Sequence, residues 1–215
     1  MLESFILPLS NGEIARARPI RRADKLALND AFQRLSDESK YGRFLTITNK
    51  LNDRQLTYFT EVDQVDHVAW GVETMGRLGG QGIAIGRYIR LPQETAVAEF
   101  ALTVTDAYQG NGLGTFLLAL LYHLAQRDDN IQILRGVIGM ENNKMLSWMN
   151  QLGADVYRTE EHLMHADLSV AHKTPQLPQN HAADRFRRAL DTIQQEGTRY
   201  KLLWPTQSLK KLRRS

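Results

Sequence analysis

The run QGNGLGT at residues 109–115 sets Gly110, Gly112 and Gly114 at alternate positions just ahead of the leucine-rich FLLALLYHLA. A glycine-rich turn entering a helix leaves backbone N–H groups unpaired, and the helix dipole adds partial positive charge at the same end. That chemistry is anion binding, and a phosphate is the obvious guest. Two common phosphate motifs are excluded by spacing. No G-x-x-x-x-G-K-[ST] string occurs, so this is not a P-loop. A dinucleotide fingerprint needs G-x-G-x-x-G tight against its strand and an acid about 20 positions on, whereas the run here is G-x-G-x-G and residues 131–140 hold no Asp or Glu. Upstream, Glu99 stands between Ala98 and Phe100 in VAEFALTV, a carboxylate that reads either as a general base or as a solvent-facing strand residue. Glu94 is its weaker substitute, because LPQET reads as an exposed loop. His162 and His165 in EEHLMH have a metal-like interval, but residues three apart on a strand face opposite sides, so no metal site is expected. No G-x-S-x-G elbow is present, and the absence of cysteine excludes disulfides, thiolate metal sites and a covalent cysteine mechanism.

The elements that must hold these groups follow from periodicity. EIARARPI (13–20) alternates as a strand, and RRADKLALNDAFQRL spaces Leu26, Leu28, Phe32 and Leu35 as an amphipathic helix. Ser36 caps a second helix over SDESKYGRFL. A short helix or loop at 55–61 leads to the strand DHVAWGVETM, and MGRLGGQG, with Gly79 and Gly80 supplying positive φ, turns it back into IAIGRYIRL. VAEFALTV (97–104) is the next strand and LGTFLLALLYHLAQRD the strongest helix. ILRGVIG is a buried strand, and NKMLSWMNQLG a helix closed by Gly153. ADVYRT and EHLMHADLS form an antiparallel pair; TPQLPQN is a linker and HAADRFRRALDTIQQEG a terminal helix. Trp70, Phe116, Leu117 and Leu120 are assigned to the core. This order predicts an α/β or α+β fold in which only the central part uses a parallel β-α-β crossover.

The string Q-x-x-G-x-G, occupied by Gln109, Gly112 and Gly114, resembles the acyl-CoA pyrophosphate loop of the GNAT superfamily of N-acetyltransferases. Its surroundings extend the resemblance. RPIRRADKLALNDAFQRLSDESKYGRF is similar to the opening of bacterial Pat-type protein-lysine acetyltransferase catalytic domains, with Arg18, Asp24, Phe32, Leu35, Ser36, Ser39, Tyr41, Arg43 and Phe44 on the pattern. VDQVDHVAWGVE, AEFALTVTDAYQGNGLGT and ENNKMLSWMNQLGADV continue it, so that it spans about residues 14–168. The resemblance implies a mixed, mainly antiparallel sheet with flanking helices, and acetyl-CoA as cosubstrate. It implies Glu99 as general base for a primary amine, most naturally a protein lysine. Gln109, Gly110, Asn111, Gly112, Leu113, Gly114 and Thr115 would hold the pyrophosphate. Leu102, Thr103 and Val104 would lie on a strand splayed from its neighbour, with the Val104 amide as oxyanion donor. Asn142 would contact pantetheine, Asn143 being the alternative; either can instead cap its helix. Many members carry a tyrosine before the terminal L-G of that helix to protonate the leaving thiolate, and here Met149 follows Trp148. A small-molecule amine acetyltransferase and a non-catalytic acyl-CoA sensor or interaction module are the alternatives.

Bulk properties fit this reading. The chain has 215 residues, 42% of them apolar and 24% charged, the composition of an ordinary globular protein. Its net charge of +3 is uneven: residues 1–170 hold 17 Lys and Arg against 21 Asp and Glu, and residues 171–215 hold 10 against 3. We therefore expect a GNAT domain over 1–170 and a basic, partly helical extension over 171–215. The asymmetry fits nucleic-acid or membrane-surface contact as well as a tail docked on an acidic body or simply solvated, and docking or solvation is the favoured reading because the tail has few aromatic residues to stack bases. Its Arg187, Arg188, Lys210, Lys211, Arg213 and Arg214 are assigned to solvent. The longest apolar stretch is about half a membrane span and MLESFILPLS lacks a basic leader, so the expected location is the cytoplasm, away from membranes.

Overall fold

Among the described residues eight strands form one sheet, neighbours following chain order except that the last two are exchanged. The computed structural model describes residues 4–45, 49–76, 80–171 and 177–203. The strands are β1 (Phe5–Pro8), β2 (Ile14–Pro19), β3 (His67–Thr74), β4 (Gly82–Leu91), β5 (Glu94–Val104), β6 (Ile133–Gly139), β7 (Asp155–Glu160) and β8 (Leu163–Ser169). Every neighbouring pair is antiparallel except β5 and β6, which run parallel across the crossover made by α4 (Leu113–Ala125). The central β-α-β unit is thus where periodicity predicts it. The other helices are α1 (Lys25–Gln33), α2 (Asp37–Phe44), α3 (Asp53–Thr60), α5 (Asn143–Gln151) and α6 (His181–Leu203). Among the described residues no helix is long and apolar enough to cross a membrane.

Strand alternation divides the protein into two layers of helices. On β5, Ala98 and Phe100 point into the main core, which α4 covers, while Ala101 and Thr103 face the side beneath α1. Helix α4 is apolar almost all round, and Phe116 through Tyr122 are buried without a break. Such a helix needs cover on both sides: the sheet supplies one and α6 the other. Phe186, Leu190 and Ile193 of α6 belong to the same core, and the Phe186 ring meets that of Tyr122 edge-on at 5.6 Å. A smaller cluster of Phe32, Leu35 and Leu51 seals the opposite face.

Several sequence expectations need correction. The strand β1 precedes the first one anticipated; of the two readings for 55–61 the short helix holds, as α3, where Asn52 Oδ1 accepts from the Gln55 N–H and Gln55 Oε1 accepts from the Asn52 N–H. Leu26 is 79% exposed, because α1 turns Leu28 and Phe32 inward and leaves Leu26 on the far side. Glu94 opens β5 rather than a loop. His162 lies ahead of β8, so the two histidines do not share a strand. Gly79 falls outside the described residues. Gly80 does not take a positive φ; a β-carbon there would sit 2.5 Å from the Thr74 carbonyl, so close approach is what requires glycine.

The docking of α6 yields a stability prediction. Phe186→Ala should lower the unfolding free energy by about 3 kcal/mol, measured by urea denaturation; an effect within about 0.5 kcal/mol, as at a surface site, would mean that α6 is not part of the core.

Candidate active site

The parallel pairing of β5 with β6 runs from Val97 opposite Ile133 to Phe100 opposite Gly136 and ends there. Both strands continue, β5 to Val104 and β6 to Gly139, each still paired on its outer edge, with β4 and β8 respectively. A wedge therefore opens between them. The Thr105 N–H donates to the Ile83 carbonyl at 2.9 Å, so backbone alternation turns the amides of Leu102 and Val104 to the opposite edge, into the wedge. Their side chains pack toward α4, while that of Thr103 faces the α1 side. Two unpaired strand edges in one cleft offer main-chain donors and acceptors that an extended ligand can use.

The glycine loop closes the mouth of this wedge. Gly110 and Gly112 have φ of +79° and +81°, a region that glycine enters without steric cost. Gly112 is the N-cap of α4 and no side chain caps the helix. The first intrahelical bond runs from the Phe116 N–H to the Gly112 carbonyl, which leaves the amides of Leu113, Gly114 and Thr115 without helical partners. Leu113 contributes backbone alone, since its side chain is buried in the core. Gly114 is helical, and its missing side chain keeps the first turn open beside Trp148. Asn111 acts within the loop: its Nδ2 donates to the Tyr108 carbonyl at 3.1 Å and its Oδ1 accepts from Ser10.

Sequence reasoning missed what anchors the loop. The Asp106 carboxylate accepts from the Ser36 N–H (2.9 Å), the Ser36 hydroxyl (2.8 Å) and the Ser39 hydroxyl (2.8 Å). Ser36 is the N-cap of α2 and accepts from the Ser39 N–H at 3.1 Å. Gln109 joins the same knot, its Nε2 lying 3.2 Å from Ser39 Oγ and 3.4 Å from the Val104 carbonyl. Burial alone would raise the Asp106 carboxyl, but the hydrogen bonds from Ser36 and Ser39 outweigh it and hold the group below its ordinary value. The end of β5, the glycine loop and the start of α2 are thus tied at one carboxylate.

Glu99 sits on β5 opposite Ile89 and Arg135, with an exposed side chain on the α1 face of the sheet. Arg43 of α2 lies within its electrostatic reach; burial lowers the Arg43 guanidinium, and attraction to Glu99 and Tyr58 opposes that. Arg87 of β4 is 4% exposed and stacks on Phe59, 4.4 Å from the ring centre. Burial first, and repulsion from Arg43 second, push it down to about 9. Its Nη1 is 3.3 Å from Nε2 of His67, a ring that burial and then Arg87 push down to about 4. Arg87 and Arg90 were the two charges in the otherwise apolar IAIGRYIRL, and that was the sequence signal available for Arg87. Glu94 is not available as a substitute base, because both its oxygens accept from Arg135 at 3.1 Å.

Across the wedge, Asn142 caps α5, its Oδ1 accepting from the Met145 N–H at 3.0 Å. Its Nδ2 reaches toward Gly42 of α2, and Asn143 is exposed in the first helical turn. Met149 is fully buried and belongs to the core.

The depressed His67 carries a pH dependence. Between pH 6.5 and about 4 the unfolded chain binds a proton there that the folded chain does not, so stability falls as pH drops through that window. Denaturation at pH 7 and pH 5 should show a smaller loss for His67→Gln than for the wild type; equal losses would place the titration elsewhere.

No family model matches this chain. Acetyltransferase Pat of Mycolicibacterium smegmatis is 35% identical over 158 residues, covering 71% of this chain and 46% of the relative, so the chain spans about half of that protein. The crystal structure of the GNAT domain of S. lividans PAT superposes with a TM-score of 0.68 at 30% identity, covering 77% of this chain and 96% of that one. A spermidine N-acetyltransferase from Vibrio cholerae, solved with CoA and spermine, shares the fold with a TM-score of 0.58 at 14% identity, over 73% and 96% of the two chains. The 35% identity to acetyltransferase Pat over 71% of this chain, together with the match across nearly the whole S. lividans domain, establishes that this chain belongs to the GNAT acetyltransferase family and is related to its Pat-type catalytic domains.

Proposed function

We propose that the chain transfers the acetyl group of acetyl-CoA to a primary amine by direct attack in a ternary complex, with a protein lysine as the leading acceptor. The observation that carries this reading is the conjunction, on β5, of Glu99, the unpaired amides of Leu102 and Val104 in the wedge, and the uncapped N-terminus of α4 at its mouth. The free amides of the loop from Gly110 to Thr115 suit a pyrophosphate, and the strand edges suit the amide-rich pantetheine arm. Asn142 Nδ2, its oxygen already committed to α5, remains a donor toward that arm.

Each chemical requirement then has a group. A lysine amine with a pKa of about 10.4 is neutral in only about one molecule in several thousand at pH 7, so Glu99 removes its proton before or during attack. The Val104 amide donates to the oxyanion of the tetrahedral intermediate, and being part of the strand it needs no reorganisation to do so. The thiolate leaves without a tyrosine acid, which a thiol with a pKa of about 8.5 tolerates.

Glu99→Gln should reduce acetyl transfer by about a hundredfold or more while leaving acetyl-CoA affinity nearly unchanged. Thiol release against a panel of amines and lysine peptides, with mass spectrometry of products, measures this; unchanged turnover would remove Glu99 from the mechanism. Acetyl-CoA binding without thiol release in the wild type would favour the sensor reading, and release with small amines but no peptide would favour a small-molecule acceptor. Asp106→Ala acts on a separate step. Loss of its anchoring bonds should raise KM for acetyl-CoA about tenfold, the cost of roughly one charge-assisted hydrogen bond, with kcat changed far less; equal falls in kcat and kcat/KM would contradict a loop-positioning role.

A further inference from the structure

We propose that the cavity between α1 and the sheet is a binding site for a small aliphatic carboxylate, received by the guanidinium of Arg87 with Arg43 beside it. The cavity measures about 80 Å³, enough for roughly five to eight water-sized groups. Its walls are mostly apolar, including Leu28, Leu35, Leu51 and Ile85, and its floor includes Thr103 of β5, the strand that also forms the wedge.

The contrast between two arginines on the same cavity carries the inference. Arg18 is saturated: both its Nη atoms lie 2.8 Å from oxygens of Asp24, and it also donates to Glu73 at 3.0 and 3.1 Å. Arg87, at 4% exposure, makes no ion pair with a carboxylate among the described residues. Its polar contacts are the His67 nitrogen at 3.3 Å and the Phe59 carbonyl at 3.5 Å, the latter at the outer limit of a hydrogen bond. A buried guanidinium is costly unless it is paired, and here a second guanidinium, that of Arg43, lines the same space. The attraction acting on Arg43 comes from Glu99 and Tyr58, so it adds positive potential without neutralising Arg87. The depressed Arg87 records the cost of this arrangement.

An anion entering the cavity would relieve it. Guanidinium forks match the two oxygens of a carboxylate, and the leucine and isoleucine walls favour a short hydrocarbon over a polyhydroxylated or phosphorylated body. The carboxylate can come from three sources that share this chemistry: the far end of an acyl group on a coenzyme A thioester, the amine acceptor, or a free acid. Occupancy of the site does not depend on acetyl transfer; only its use in catalysis rests on the proposed function, so the two ideas can fail separately.

Titration calorimetry of the full chain with sodium butyrate, using butyramide as the uncharged isostere, tests the proposal. Butyrate should bind while butyramide does not, and Arg87→Gln should weaken butyrate at least tenfold. Ala31→Leu, which fills the cavity from α1 and replaces neither arginine, should weaken it as well and guards against misfolding of the first variant. Equal responses to butyrate and butyramide, or butyrate binding unchanged in both variants, would overturn the proposal. Among supporting results, competition of bound butyrate with acetyl-CoA assigns the carboxylate to the acyl group, competition with the amine assigns it to the acceptor, and competition with neither assigns it to a free acid.

Discussion

The separation of β5 from β6 beyond Phe100 and Gly136 is the constraint on which the rest of the site depends. A sheet normally consumes its backbone hydrogen-bonding groups internally, and this one leaves a set of them open in the middle of the fold. The arrangement is stable because each strand keeps its outer partner, β4 on one side and β8 on the other, as the wedge widens. α4 then fills the ground beneath the wedge with leucine side chains and points its uncapped N-terminus at the opening. Its burial on both sides requires α6, so a helix remote from the chemistry supports the element that carries the glycine loop.

A second tie runs the other way across the sheet. Asp106 joins the end of β5 to the N-terminus of α2, which carries Arg43 toward Glu99. The loop that would hold a pyrophosphate and the helix beside the proposed base are therefore positioned by one carboxylate, whose three donors come from Ser36, the N-cap of α2, and Ser39 in its first turn. Displacement of either end would be felt at the other, since the bonds between them are short and mutually dependent.

The parts of this site legible in sequence were those written in consecutive residues. Glu99, the strand after it and the glycine loop lie within one stretch, where alternation and glycine spacing carry the information directly. The cap at Ser36 was legible for the same reason. The bond from Ser36 to Asp106 spans 70 residues, and Arg43 and Glu99 also lie far apart along the chain, so neither leaves a local signal. Leu26 misled because a nine-residue helix on a sheet buries a narrow face, and leucine on the other face costs little. Glu94 misled because its strand begins directly after a two-residue turn at Pro92 and Gln93, too tight to show as a break in pattern.

Hydrogen exchange followed by mass spectrometry, with and without acetyl-CoA, tests most directly whether the wedge is the coenzyme site. The account requires protection on binding to concentrate in residues 101–104 and 109–116, where free amides acquire partners, with the outer edges of β4 and β8 unchanged. Binding of acetyl-CoA without protection of those two segments would contradict it.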